Sequence, residues 1–189
     1  MKIKQFFCLR NVIISFAFFM FMNFLINYSP YGLSKLVEIT GGHSILDMEM
    51  QGYSVDKAYE LLDALGEEGR AFNMKFIVPL DFPFPLSYGL FYFITLTLIL
   101  KTIRSNIKRP WLIGLVGVCA TLLDWSENIM IINLLQNYPQ RQNEIVKIAS
   151  IFTQLKGLFI MISMFLIVVG LLVIIFRRFM PKKQTKLVE

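Results

Sequence analysis

Apolar and polar positions alternate in long blocks along this chain. Four runs are apolar almost throughout, at about 11–28, 80–100, 111–135 and 148–176. Each is long enough to cross a hydrocarbon layer about 30 Å thick as a helix, which takes roughly 20 residues. The pattern predicts an all-α, single-domain membrane protein built as a four-helix transmembrane bundle. Residues 29–78 interrupt it as a loop of about 50 residues. Inside that loop the 3.6-residue period returns once: Val55, Ala58, Tyr59, Leu62 and Leu65 form one stripe. Ser54 stands at the N-cap position, Asp56 in the first turn, and Gly66 where a helix would stop. A short amphipathic helix is therefore expected on the mouth of the bundle or the membrane surface.

The first run follows Lys2, Lys4 and Arg10, as in a secretory signal, but it is long and no A-x-A-like site follows it. It is read as an uncleaved first span. Regular helix in the second run should begin near Pro83–Pro85, because proline is tolerated only in a first turn.

Composition agrees with the blocks: 56% of residues are hydrophobic. Charge adds an orientation. The net charge is +6, with 19 basic and 13 acidic residues, but the two signs are segregated. Basic residues gather before the first run (Lys2, Lys4, Arg10), between the second and third (Lys101, Arg104, Lys108, Arg109) and after the fourth (Arg177, Arg178, Lys182, Lys183, Lys186). With four spans, all of these fall on one side. The positive-inside rule makes that side cytoplasmic, so both termini are expected inside. The acidic 29–78 loop is expected outside the cytoplasm. No basic tract interleaved with aromatics is present, so nucleic acid is excluded as a partner. Cys8 and Cys119 form no CxxC, which excludes dithiol chemistry of the vitamin K epoxide reductase type. The 29–78 loop lacks both tryptophan and cysteine, and with them the claudin signature. No family is assigned on these residues.

The candidate chemistry lies inside the apolar blocks. Thr121 to Asn128 reads Thr-Leu-Leu-Asp-Trp-Ser-Glu-Asn in the middle of the third run. Asp124, Glu127 and Asn128 stand at i, i+3 and i+4, so they share one helix face. Burying a carboxylate at mid-bilayer costs roughly 2.5–3.5 kcal/mol on insertion scales. The fourth run holds one cation, Lys156, and a short hairpin should place its helix beside the third. At about 1.5 Å rise per residue, Glu127 and Lys156 lie at matching depths of roughly 10–12 Å, and a Glu127–Lys156 pair is expected. Ala149, Thr153 and Gly157 repeat every four residues, a small-residue stripe suited to close helix packing. Asp81, at the head of the second run, is a further candidate carboxylate, with Arg70 its expected partner. Tyr88 and Tyr92 face the same half of the bundle. Trp125 points to another face.

Two intramembrane acids against one lysine leave an unbalanced carboxylate. The expected site is a pocket open to the outside, with Asp124, Glu127, Asn128, Lys156, Asp81 and Arg70 as its ligand-binding or charge network. It would bind or transport a small amphiphilic or cationic ligand. A membrane-embedded acid/base enzyme acting on a lipid-like substrate, and an accessory subunit whose buried charges only fix packing, remain alternatives. The partners implied are the bilayer, a small-molecule or lipid ligand, and a second copy or another membrane protein. No cofactor motif is found. His43, Asp47 and Glu49 match no metal-ligand spacing and are read as ordinary loop residues.

Overall fold

A computed structural model describes residues 6–43 and 45–179. Lys2, Lys4, Lys182, Lys183, Lys186 and Glu189, used in the charge count, lie outside the described residues. Among the described residues the structure is helical throughout, with no strand. Helix α1 spans Leu9–Tyr28, α2 Leu33–Thr40, α3 Val55–Ala64, α4 Gly66–Phe72, α5 Pro83–Ile103, α6 Leu115–Asn137 and α7 Asn143–Phe179. Four continuous helical stretches are long and apolar enough to cross a membrane: Leu9–Thr40, Gly66–Ile103, Pro110–Asn137 and Asn143–Phe179.

The 29–78 segment is more ordered than an open loop. It holds three helices, and the stretch from Gly66 runs through a π-turn at Asn73–Ile77 and one helical turn at Val78–Leu80 into α5. The second long element thus begins well before residue 80. Its apolar residues explain this, since Phe72, Phe76, Ile77 and Val78 continue a helical period that the charges of 66–70 mask. The expected amphipathic helix is α3. Ser54 Oγ accepts from Lys57 N at 3.2 Å, and Gly66 follows the last turn with φ +63°. Its Ala58, Tyr59, Leu61 and Leu62 are buried. Tyr59 clamps the α6–α7 connection: its hydroxyl donates to the Gln140 carbonyl (3.0 Å) and accepts from Gln142 N (2.6 Å).

Two apolar cores result. The first lies under α2 and α3, where Leu36, Leu62, Leu134 and Val146 meet. The second lies between α5 and α6, with Tyr88, Tyr92 and Ala120 at its centre and Phe19, Phe84 and Phe91 around them. There α5 and α6 approach closely. A Cβ on Gly89 would fall 1.9 Å from Thr121 Oγ1, and one on Gly117 would fall 2.6 Å from Tyr92 Cβ. The antiparallel pair α6–α7 has the most extensive packing in the molecule, as the short hairpin predicts.

Regular α5 begins at Pro83, as the prolines predict. Pro85 has no N–H, so no helical hydrogen bond reaches the Asp81 carbonyl from that position. Asn128 Nδ2 fills the gap, donating to Asp81 O at 3.0 Å, and Trp125 Nε1 donates to Phe82 O at 2.8 Å. With Thr121 Oγ1 donating to Pro85 O at 2.8 Å, the proline-broken entry to α5 is fastened to α6 by three side chains of the Thr121–Asn128 stretch. It turns Asp81 into the protein, where 4% of its surface remains exposed.

Candidate functional site: a buried acid cluster around Lys156

Between the two cores lies a layer of charge. Helix α6 supplies Asp124 and Glu127 on one face, and α7 presents Lys156 opposite them. Lys156 Nζ lies 2.6 Å from Glu127 Oε2 and 3.7 Å from Asp124 Oδ1. The pairing expected from helix depth is therefore present. Thr153, one turn before Lys156, donates to Glu127 Oε1 at 2.5 Å. The other oxygen of Asp124, Oδ2, accepts from the Tyr88 hydroxyl at 2.7 Å. That hydroxyl also lies 3.3 Å from the Ala120 carbonyl. Asp124 Oδ1 is fully buried and makes no hydrogen bond among the described residues.

The third contact of Lys156 comes from the segment read as an ordinary polar loop. Asp47 sits in a single 3₁₀ turn, Leu46–Met48, and its carboxylate pairs directly with the Lys156 ammonium. One oxygen each from Asp47, Asp81 and Asp124 can gather within 4.8 Å of one another. Three carboxylates thus pair with one lysine, and a fourth, Asp81, stands beside two of them. If all four were ionised, three negative charges would go unbalanced, two more than the pair of acids on the third run implied. Such a group is costly in a low-dielectric interior unless another positive charge joins it.

Two expectations are corrected here. Arg70 does not reach Asp81: its guanidinium donates to the Leu62 carbonyl at 2.7 Å and stacks over the Tyr138 ring at 3.8 Å. Helix α4 turns it toward the outer surface, where capping α3 and stacking on an aromatic face hold it. Asp47 belongs to the cluster, while His43 and Glu49 do not. The signal for Asp47 was present in Ile45-Leu46-Asp47-Met48, an apolar patch in a polar segment. Ile45 and Leu46 are both buried and carry the aspartate inward with them. Asn128 acts on the Asp81 backbone instead of on the ion pair. Asn23 and Asn27 stay local, Asn27 Nδ2 donating to Asn23 O at 2.9 Å. Tyr92 packs among aromatic rings.

The small-residue stripe on α7 has a use beyond helix packing. Residues 50–53 lie along it: Tyr53 N donates to Ser150 Oγ at 2.8 Å, and Met50 rests against Gly157. Gly52 has φ +86°, and a Cβ there would fall 2.3 Å from Gln154 Nε2. The side chain of Tyr53 then reaches beside Thr153 and Glu127. Burial, reinforced by the Glu127 charge, raises its phenol above the ordinary tyrosine range.

The space on the Asp47–Asp81 side of the cluster is small. A cavity of about 10 Å³, lined by Asp47, Asp81, Asn73 and Asn128 among apolar side chains, has room for about one water molecule. Drug-sized ligands occupy roughly 300–1,000 Å³. Three carboxylates within 4.8 Å are hard oxygen donors, the chemistry that suits Mg²⁺, Ca²⁺ or Mn²⁺, at a spacing about twice a Ca–O bond of roughly 2.4 Å. No protein-family model matches the chain, and no curated protein or solved structure matches it either.

Proposed function

We propose that this chain is a multi-pass membrane protein whose buried acid cluster binds a small hard cation, a proton or a divalent metal ion, in the outer half of the bundle. The observation that carries the reading is the convergence of Asp47, Asp124 and Glu127 on a single lysine, with Asp81 gathered beside Asp47 and Asp124. A charge surplus of that size, kept beside space for about one water, suits a ligand that is small and positive. An amphiphile or a lipid-like substrate would need far more room, which weighs against the larger ligand and against the embedded enzyme.

Both termini lie in the cytoplasm under this reading, with residues 29–78 outside. Six basic residues support it: Lys101 stands in the last turn of α5, Arg104, Lys108 and Arg109 follow that helix, and Arg177 and Arg178 end α7. Arg177 Nη1 donates to the Ile103 carbonyl at 2.5 Å, which draws both groups to one end of the molecule. Transport across the membrane would call for assembly with a second copy, because four helices alone make a thin wall.

Calorimetric titration of the protein in lipid nanodiscs tests the reading, with Mg²⁺, Ca²⁺ and Mn²⁺ in one arm and acid in the other. Wild type should take up one of these cations, and Asp81→Asn and Asp124→Asn should each weaken uptake at least tenfold. The closed state of the cluster favours one second reading, an accessory subunit in which the charges set helix register. Equal titration curves for wild type and both variants, with a partner protein carried through purification, would support that reading instead.

A further inference from the structure

We infer that the outer wall of the acid cluster is a removable strap, residues 47–52, and that Asp47 releases Lys156 when the strap lifts. For what enters, this rests on the cation-site reading; the motion itself stands apart from it. Asp124, Glu127 and Lys156 sit on long helices, and Asp81 is fastened through its backbone by Asn128. Asp47 alone of the four carboxylates comes from a three-residue turn. Its side chain is 18% exposed, against 4% for Asp124 and none for Glu127, so it faces the water side of the cluster.

The strap's ends differ. Leu46 is buried in the core under α2 and α3 and stays fixed. At the far end, Gly52 holds a positive φ that only glycine adopts freely, a natural pivot. Between them, Met48 and Met50 are about half exposed. What the strap covers on α7 is a smooth floor of small residues, Ser150, Thr153 and Gly157. Lifting it would part the Asp47–Lys156 pair and open Glu127 and Asp124 to the outer solution, while the helices keep their places.

The structure offers its own lock. A Cβ built on Gly157 lies 4.0 Å from Met50 Cβ. That is close to the roughly 3.8 Å mean of a disulfide. The experiment uses the full chain with Cys8→Ser and Cys119→Ser, in nanodiscs, carrying Met50→Cys and Gly157→Cys. A water-soluble carbodiimide with an amine nucleophile labels carboxylates, and mass spectrometry reads Asp124, Glu127 and exposed Asp56 as the internal standard. Reduced protein should be labelled at Glu127 and Asp124, and oxidation should lower that labelling at least tenfold while Asp56 is unchanged. Asp47→Asn, without the cysteine pair, should raise Glu127 labelling several-fold. Equal labelling in the oxidised and reduced states, or no labelling of Glu127 in the reduced state, overturns the strap. Failure of the cation titration leaves this readout intact, because the carbodiimide needs no bound cation.

Discussion

The two halves of α7 meet different surroundings. Before Lys156, Val146, Ala149 and Thr153 are fully buried against α3, α6 and the 50–53 segment. After it, Met161, Phe165 and Phe176 are 63–66% exposed on a helix that carries nothing charged until Arg177. The first half buries one face while Ile148 and Ile151 on the opposite face stay exposed; the second presents apolar side chains outward over most of its surface, as a helix in lipid does. At about 1.5 Å per residue, the 37 residues of α7 run about 55 Å, well beyond a hydrocarbon layer of about 30 Å. The charged layer stands where one regime gives way to the other. There the polar groups can draw on the 29–78 segment for partners while their helices remain anchored in the bundle.

Breaking that boundary should have the largest effect. Lys156→Met leaves the carboxylates facing one another without their cation, and removing one partner of a buried pair costs about 3–5 kcal/mol. Chemical unfolding in detergent or nanodiscs should show this loss. Adding Glu127→Gln to Lys156→Met should recover part of it, since one of the stranded charges goes too. Next come the apolar residues. Leu62→Ala, in the core under α2 and α3, should cost about 2–5 kcal/mol. Phe165→Ala, on the exposed face of α7, should stay within about 0.5 kcal/mol by the same assay. Equal losses at the two positions would erase the contrast between the halves.

The fold was legible wherever one period dominated. The four long helices, the proline start of α5 and the Ser54-capped α3 follow from local spacing, and the Glu127–Lys156 pair follows from matching depths on a hairpin. Arg70 and Asp47 were misplaced because both depend on how the 29–78 segment folds back. Net charge described that segment as a solvated surface, yet Leu36, Ile45, Leu46 and Leu62 fold it onto α6 and α7 and take Asp47 inside. Long-range burial of one aspartate leaves almost no mark on a composition. The Asn128 bond to the Asp81 carbonyl was hidden for another reason: it answers a backbone vacancy created by Pro85, not a charge.

Smaller effects sharpen the comparison within the charged layer. Tyr88→Phe removes the donor to Asp124 Oδ2 and should cost about 1–3 kcal/mol, because a buried acceptor is left unmatched. Tyr53 gives a pH signature from outside the spans. Its phenol is raised by burial, so the unfolded chain loses that proton at lower pH than the folded one does. Below the ordinary tyrosine value of about 10 the contribution is fully present, and stability should fall as pH rises past it. Tyr53→Phe should flatten that alkaline fall, read as the unfolding midpoint between about pH 9 and 11.

The most direct test of the cation site is the thermal midpoint in nanodiscs, scanned against Mg²⁺, Ca²⁺ and Mn²⁺ and against pH, for wild type beside Asp124→Asn. A ligand that binds only the folded state raises the midpoint with its concentration. The account predicts that the wild-type midpoint moves with at least one of these cations and that the shift disappears in Asp124→Asn. Midpoints that stay fixed in both proteins, or that move in parallel with the metal ions and with acid, would contradict it.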